Sequence, residues 1–249
     1  MTSPSDSTRE PTNLPRRESG VDAGGDSYGA LISAARRLIG SMGYHQVTVD
    51  DVRKDAGVSR ATFYFYFKNK RHLFIQMARS VMDDMYEVAG RHYPERDEYT
   101  RIILANVAYL EVWRREAKIM GEFFALSLVD EEISVAYARY RERFESRIAG
   151  RLGRLMERGR IPQGDPALLA ATLSSMVEFF AFRFFVTDEA ISTEHYRFSD
   201  AVRVLSESWY RAVYGKLPPE TAAFEGAGMF SSNGAAPAES EQPELARPD

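Results

Sequence analysis

Apolar residues return along most of this chain every three to four positions, the spacing that puts them on one face of an α-helix. The first such stripe is Leu31, Ala34, Ala35 and Leu38, which predicts a helix from about Tyr28 to Met42 with Gly43 as its stop. Leu73, Phe74, Met77, Val81, Met85 and Val88 predict another from about Lys70 to Ala89. Further helices are expected over about Glu95 to Arg115 and Ile119 to Leu128. A long one follows over Glu131 to Arg158, on Ile133, Tyr137, Tyr140, Phe144, Ile148, Leu152 and Leu155, with Arg- and Glu-rich outer faces that read as solvated surface. A loop over 161–166 ends in Pro166, which suits the first turn of a helix reaching about Val186. The last stripe, Phe198, Ala201, Val202, Leu205, Trp209, Ala212 and Val213, predicts a helix to Tyr214. Alternating strand patterns are nearly absent. With two short helices described next, the count is nine, and the fold class expected is all-α.

The short helices lie in Thr48–Lys70. Thr48 is a good N-cap and Asp51 stands three residues on, where a capping box needs it. Val49, Val52 and Ala56 face inward, and Ala56 is small enough to let a second helix cross closely. Gly57 supplies the positive φ that ends the first helix, Val58 plugs the turn, and Ser59 caps the second. Phe63 and Phe67, four apart, read as core. Arg60, Ala61, Thr62, Tyr64 and Tyr66 are left outward, because so short a helix cannot bury every face. An arginine at the start of such a helix can reach guanine edges in a major groove. Threonine and tyrosine hydroxyls suit phosphate, and Thr62 also a thymine methyl. Asn69 is placed to cap the next helix, leaving free amides toward a phosphate with Lys70 beside them. This is a helix-turn-helix with caps at both starts.

Charge supports that reading only when divided by region. The net charge of −4 has the wrong sign for binding a polyanion such as DNA. Residues 220–249 carry −5 and residues 1–26 carry −2, which leaves +3 for the middle of the chain. Residues 45–75 alone hold three acids and six bases. The positive charge therefore sits where phosphates would be met. The two ends, 1–26 and 218–249, are rich in small polar residues and proline and are expected to be disordered. Between them the expected division is a DNA-binding domain over 27–74 and a helical regulatory and dimerisation domain over 75–217.

The absence of cysteine excludes disulfides and thiolate metal sites, and a cytoplasmic location is expected. The four histidines, His45, His72, His92 and His195, show no metal-ligand spacing, and no metal or cofactor is expected. No nucleotide-binding glycine loop or Gly-x-Ser-x-Gly elbow is present, so an enzyme is disfavoured. Acidic pairs such as Asp83-Asp84 are adjacent and cannot face one another on a helix. No apolar run approaches the about 20 residues of a membrane span, and no membrane partner is expected. A helical scaffold without DNA binding is a second rival; the intact outward Arg60, Thr62, Tyr64, Tyr66 and Lys70 argue against it.

The pattern Thr48-Val49-x-Asp51-Val52-x-x-x-Ala56-Gly57-Val58-Ser59-x-x-Thr62-Phe63-Tyr64-x-Tyr66-Phe67-x-x-Lys70-x-x-Leu73 resembles the TetR family of bacterial repressors nearly position for position. Lys68 departs from it, standing where the family often has proline. The resemblance implies an N-terminal three-helix DNA-binding domain and a C-terminal helical ligand-binding and dimerisation domain. It implies DNA contacts from Thr48, Ser59, Arg60, Thr62, Tyr64, Tyr66 and Lys70, and a homodimer on a palindromic stretch of double-stranded DNA. Five phenylalanines in the seven positions 179–185 are spread around their helix, which is then expected to be buried on every side, its outer face by a partner subunit. Asn106, Tyr109, Leu110, Trp113, Phe123, Phe124, Phe144, Met176 and Phe180 each read singly as core. The resemblance implies a pocket among them, whose apolar, aromatic lining suits a hydrophobic small-molecule effector, acyl or polycyclic.

Overall fold

A computed structural model describes residues 27–91, 96–187 and 191–219. Among these there are nine α-helices and no strand. The expected disordered ends, 1–26 and most of 218–249, lie outside the described residues, as does the expected helix start at Glu95.

The first three helices are α1 (Ser27–Met42), α2 (Val49–Asp55) and α3 (Arg60–Tyr66). Each boundary follows from local chemistry. Gly43 ends α1 at φ 91°. Thr48 and Asp51 close both halves of the capping box on α2. Gly57 takes φ 68°, where no Cβ is tolerated without strain, and Ser59 accepts the Thr62 amide at the start of α3. Leu31, Ala34, Ala35, Val52, Phe63 and Phe67 close the core of this unit, each at most 1% exposed.

Helix α4 (Lys70–Ala89) begins in that unit, capped by Asn69, whose side chain accepts the His72 amide. It then runs into the second half of the chain with Leu73, Phe74, Met77, Ala78, Val81, Met82 and Met85 all buried. The expected division at 74 and 75 thus falls inside one helix, and a single apolar core extends across it. Around α4 pack α5 (Glu98–Arg115), α6 (Ala117–Ser127) and α7 (Glu131–Glu157). Helix α5 is capped by Asp97, so it starts at Glu98 and not at about Glu95. Helix α8 (Pro166–Phe185) lies along α7, and α9 (Phe198–Tyr214) lies along α5. A smaller apolar cluster of Leu152, Met156, Ile161, Ala170, Leu173 and Val213 joins the far ends of α7, α8 and α9.

One expectation about α8 changes. Its 20 residues carry only Glu178 and Arg183 as charges, so by length and composition it is apolar enough to cross a membrane. Counting unbroken apolar runs missed this, because Ser174, Ser175 and Glu178 interrupt the run without breaking the helix. The helix is also not buried on every side within one chain: Phe179 is 53% and Leu168 67% exposed.

Polar contacts tie the first helices to the rest. Arg36 on α1 donates to both carboxylate oxygens of Glu116, between α5 and α6, at 3.2 and 2.6 Å. Arg71 on α4 pairs with Asp130 and Glu132 at the start of α7. Burial pushes the Glu116 carboxyl up, but the hydrogen bonds from Arg36 and Arg115 outweigh it and hold the group below its ordinary 4.5. A carboxylate held low stabilises the fold above its unfolded value, and that contribution is lost as pH falls through the folded value. Glu116→Gln should therefore cost about 1–3 kcal/mol at neutral pH, as for a charged hydrogen-bonded pair. In denaturant melts the gap to wild type should close as pH drops below 4.5. A gap independent of pH would show that the charge on Glu116 is not what the contact uses.

Candidate nucleic-acid interface and effector cavity

The outer face of α3 presents Arg60, Ala61, Tyr64 and Phe65, all exposed, with Thr62 and Tyr66 half-buried beside them. Arg60 has no carboxylate within ion-pair distance among the described residues; its guanidinium lies 5.7 Å from the Tyr64 ring centroid. Tyr66 is held by edge contact with Tyr28 at 5.8 Å, which fixes its ring against α1. Below them Phe63 and Phe67 anchor the helix in the core. The exposed side of this short helix bears no acid, so it offers a guanidinium, hydroxyls and ring edges to a polyanion.

Three expected contact residues are occupied locally. Thr48 Oγ1 donates to Asp51 at 2.6 Å and accepts its amide. The hydroxyls of Ser59 and Thr62 bond each other at 2.8 Å. Thr48 and Ser59 cap α2 and α3, and the Thr62 hydroxyl and amide both bond the Ser59 cap. Lys70 is further from expectation. Its ammonium donates to the carbonyls of Tyr44 and Val47, each at 3.0 Å, and sits 4.4 Å from the Tyr44 ring centroid. Burial lowers its pKa from the ordinary value. The side chain reaches back to close the loop between α1 and α2, and does not project outward. Adjacency to the α4 N-terminus suggested phosphate; only the tertiary fold shows three carbonyl acceptors within reach.

Phe65 is the residue missed. It is 74% exposed, the most exposed aromatic of α3, in edge contact with Tyr66 at 4.9 Å. A signal was available: it lies two positions from core Phe63, which on a helix is the opposite face. The aromatic run concealed it.

The second site is a cavity of about 280 Å³ bounded by α4, α5, α7, α8 and α9. Of the nine expected pocket residues, Asn106, Tyr109 and Phe144 line it. Leu110 and Trp113 are wholly buried core. Phe123 is core as well and borders a smaller cleft. Phe124 meets Phe182 in a tilted contact, Phe180 stacks on Phe184, and half-buried Met176 packs against the core, none of them in the cavity. An aromatic stripe cannot tell cavity wall from core, since both are apolar and the difference is whether a neighbour fills the space. The lining also includes polar groups that apolar periodicity does not show. Glu178 accepts the Tyr137 hydroxyl at 2.6 Å and faces Arg141 at 3.3 Å. Burial raises its carboxyl above the usual range, against the pull of Tyr137 and Arg141. Asn106 donates to Ser206 at 3.0 Å. Of the α7 arginines read from sequence as solvated surface, Arg141 and Arg147 are half-buried in the cavity wall, while Arg151 and Arg154 border it and remain exposed. Among the described residues no group of His, Asp and Glu is arranged to hold a metal.

Comparison with known proteins agrees with this geometry. Residues 31–77 match the family described as bacterial regulatory proteins, tetR family, and residues 95–207 match the BetI-type transcriptional repressor C-terminal domain. The chain belongs to the TetR family of transcriptional regulators, and its relatives are regulators and not enzymes. It is 25% identical over 219 residues to the HTH-type transcriptional regulator EthR of Mycolicibacterium smegmatis, covering 86% of this chain and 99% of that one. Among solved structures, a TetR-family regulator from Syntrophomonas wolfei superposes with TM-score 0.63 at 15% identity, covering 75% of this chain and 94% of that one. A transcriptional regulator from Saccharomonospora viridis in complex with choline does so with TM-score 0.59 at 18% identity, covering 76% and 97%.

Lys70→Met, which keeps the alkyl stem and removes the donor, should destabilise the fold by roughly 1–3 kcal/mol, since the loop carbonyls lose their partner. It should weaken binding to all DNA sequences alike. Thermal melts together with binding to random DNA check this; unchanged stability with weakened binding would return Lys70 to a direct phosphate contact.

Proposed function

We propose that this protein is a sequence-specific DNA-binding repressor of the cytoplasm, acting as a homodimer on a palindromic operator and released by a small-molecule effector with a largely apolar body. The observation that carries the DNA reading is the outer face of α3: Arg60 without a carboxylate partner, flanked by Tyr64, Phe65 and Tyr66, on a helix anchored by Phe63 and Phe67. In this reading Arg60 addresses a base edge. Ala61, Thr62 and Phe65 offer apolar contact to thymine methyls, and Tyr64 and Tyr66 face phosphate. Thr48 and Ser59 use their spare hydrogen-bonding capacity at the backbone. One such helix makes too few base contacts for high specificity, so two copies on a palindrome are needed.

The uncovered face of α8 supports the dimer. Leu168, Thr172, Ser175, Phe179 and Val186 are exposed along one line of the helix, with Phe182 half-buried among them. A second copy would bury these against their own equivalents. The cavity supports an effector, as does the choline found in the Saccharomonospora viridis relative. It lies between α4, which leads to the DNA-reading unit, and α8, which carries the proposed dimer face. An occupant could thus change the spacing of two reading heads.

Arg60→Ala should reduce discrimination between operator and random DNA by about 1–3 kcal/mol, measured on a site selected from random sequences. An equal loss on both DNAs would remove Arg60 from base reading. Phe179→Glu places a charge on the apolar face and should convert dimer to monomer in sedimentation equilibrium, with operator affinity falling in parallel. A variant that remains dimeric would move the interface elsewhere.

A further inference from the structure

The cavity carries more charge than an apolar effector needs. Six arginines line it: Arg91, Arg101, Arg141, Arg147, Arg151 and Arg154. The only carboxylates in its lining are Glu145 and Glu178, and Arg141 pairs with both. Glu178 also accepts the Tyr137 hydroxyl, so it is satisfied without a ligand cation. Glu98 serves Arg101 and Arg151. Three guanidiniums are left. Among the described residues Arg91 and Arg154 have no carboxylate within ion-pair distance, and neither has Arg147. The head of Arg147 is held in place by the Tyr86 carbonyl at 2.7 Å and lies over the rings of Tyr86 and Phe144, 3.8 and 4.9 Å from their centroids. Beside this positive group the wall is apolar, with Ile102, Phe144, Val177 and Trp209.

Resting on the reading of this cavity as an effector site, we propose that its occupant is an amphiphile with an apolar body and an anionic head, a carboxylate or phosphate, received by Arg91, Arg147 and Arg154. A guanidinium is the side chain best matched to such heads, through paired N–H donors. Arg91 and Arg154 are exposed at the rim and Arg147 is half-buried in the wall, so a neutral ligand would forgo all three as partners. A cationic ligand would meet net repulsion there, since both lining carboxylates are already paired.

Decanoate, decanol and decyltrimethylammonium share one tail and differ in the head, and Trp209 in the lining provides a fluorescence signal. On the full chain at low salt, decanoate should bind about ten-fold or more tightly than decanol, the advantage of one charge-assisted contact. Added salt should shrink the gap. The double variant Arg91→Gln, Arg154→Gln should close it and leave decanol binding and the melting temperature unchanged, because neither guanidinium makes an ion pair in the fold. Decanol or decyltrimethylammonium binding as tightly as decanoate would overturn the anionic head while the apolar cavity stands. A gap that survives in the double variant would also overturn it. If none of the three binds, the effector reading falls and this inference with it. If decanoate binds as described but leaves operator DNA bound, only the release step of that reading fails.

Discussion

The structure depends on the burial of one helix along its whole length. Helix α4 starts in the helix-turn-helix unit, fixed there by the Asn69 cap, and ends at the cavity, where Ala89 and Gly90 form part of the wall. Between these points its apolar face lies inside a continuous core, from Leu73 to Met85. A buried helix of 20 residues cannot bend freely, because interiors are close-packed and any displacement must be accommodated by its neighbours. One helix and one continuous core thus link the cavity to the helix-turn-helix unit. The Arg36–Glu116 and Arg71–Asp130 pairs reinforce the connection on either side.

That arrangement makes sense of the residues whose side chains are engaged within the protein. Lys70 ties the loop between α1 and α2 to the first turn of α4, and Thr48, Ser59 and Thr62 fasten the starts of α2 and α3. A reading helix of seven residues has little intrinsic stability. It holds its orientation because its caps, the Gly57 turn and two core phenylalanines over-determine it. What then remains outward is a small set: Arg60, Ala61, Tyr64, Phe65 and the edge of Tyr66.

The regulatory half shows the same division between packing and chemistry. Its aromatic residues separate into those that fill the core, such as Trp113 and Phe123, and those that border empty space, such as Tyr109 and Phe144. Its arginines separate likewise into surface pairs and a group facing the cavity. A long charged side chain can lie along apolar surface with only its head polar, which allows α7 to supply both wall and charge.

The local elements were determined by the sequence itself. The nine helices, the capping box at Thr48, the positive φ at Gly57 and the core roles of Phe63 and Phe67 follow from periodicity and backbone chemistry within a few residues, and the structure bears them out. The local basic charge around α3, hidden in a net acidic chain, was likewise legible. Tertiary structure alone decided which apolar side chains border a void, where the Lys70 ammonium goes, which side of α8 stays uncovered, and that Arg141 and Arg147 of α7 are half-buried against the cavity. Each of these depends on what a second, distant segment places opposite a residue. Helical periodicity records which face a residue is on, but not whether that face meets a packed neighbour, a carbonyl, a cavity or water.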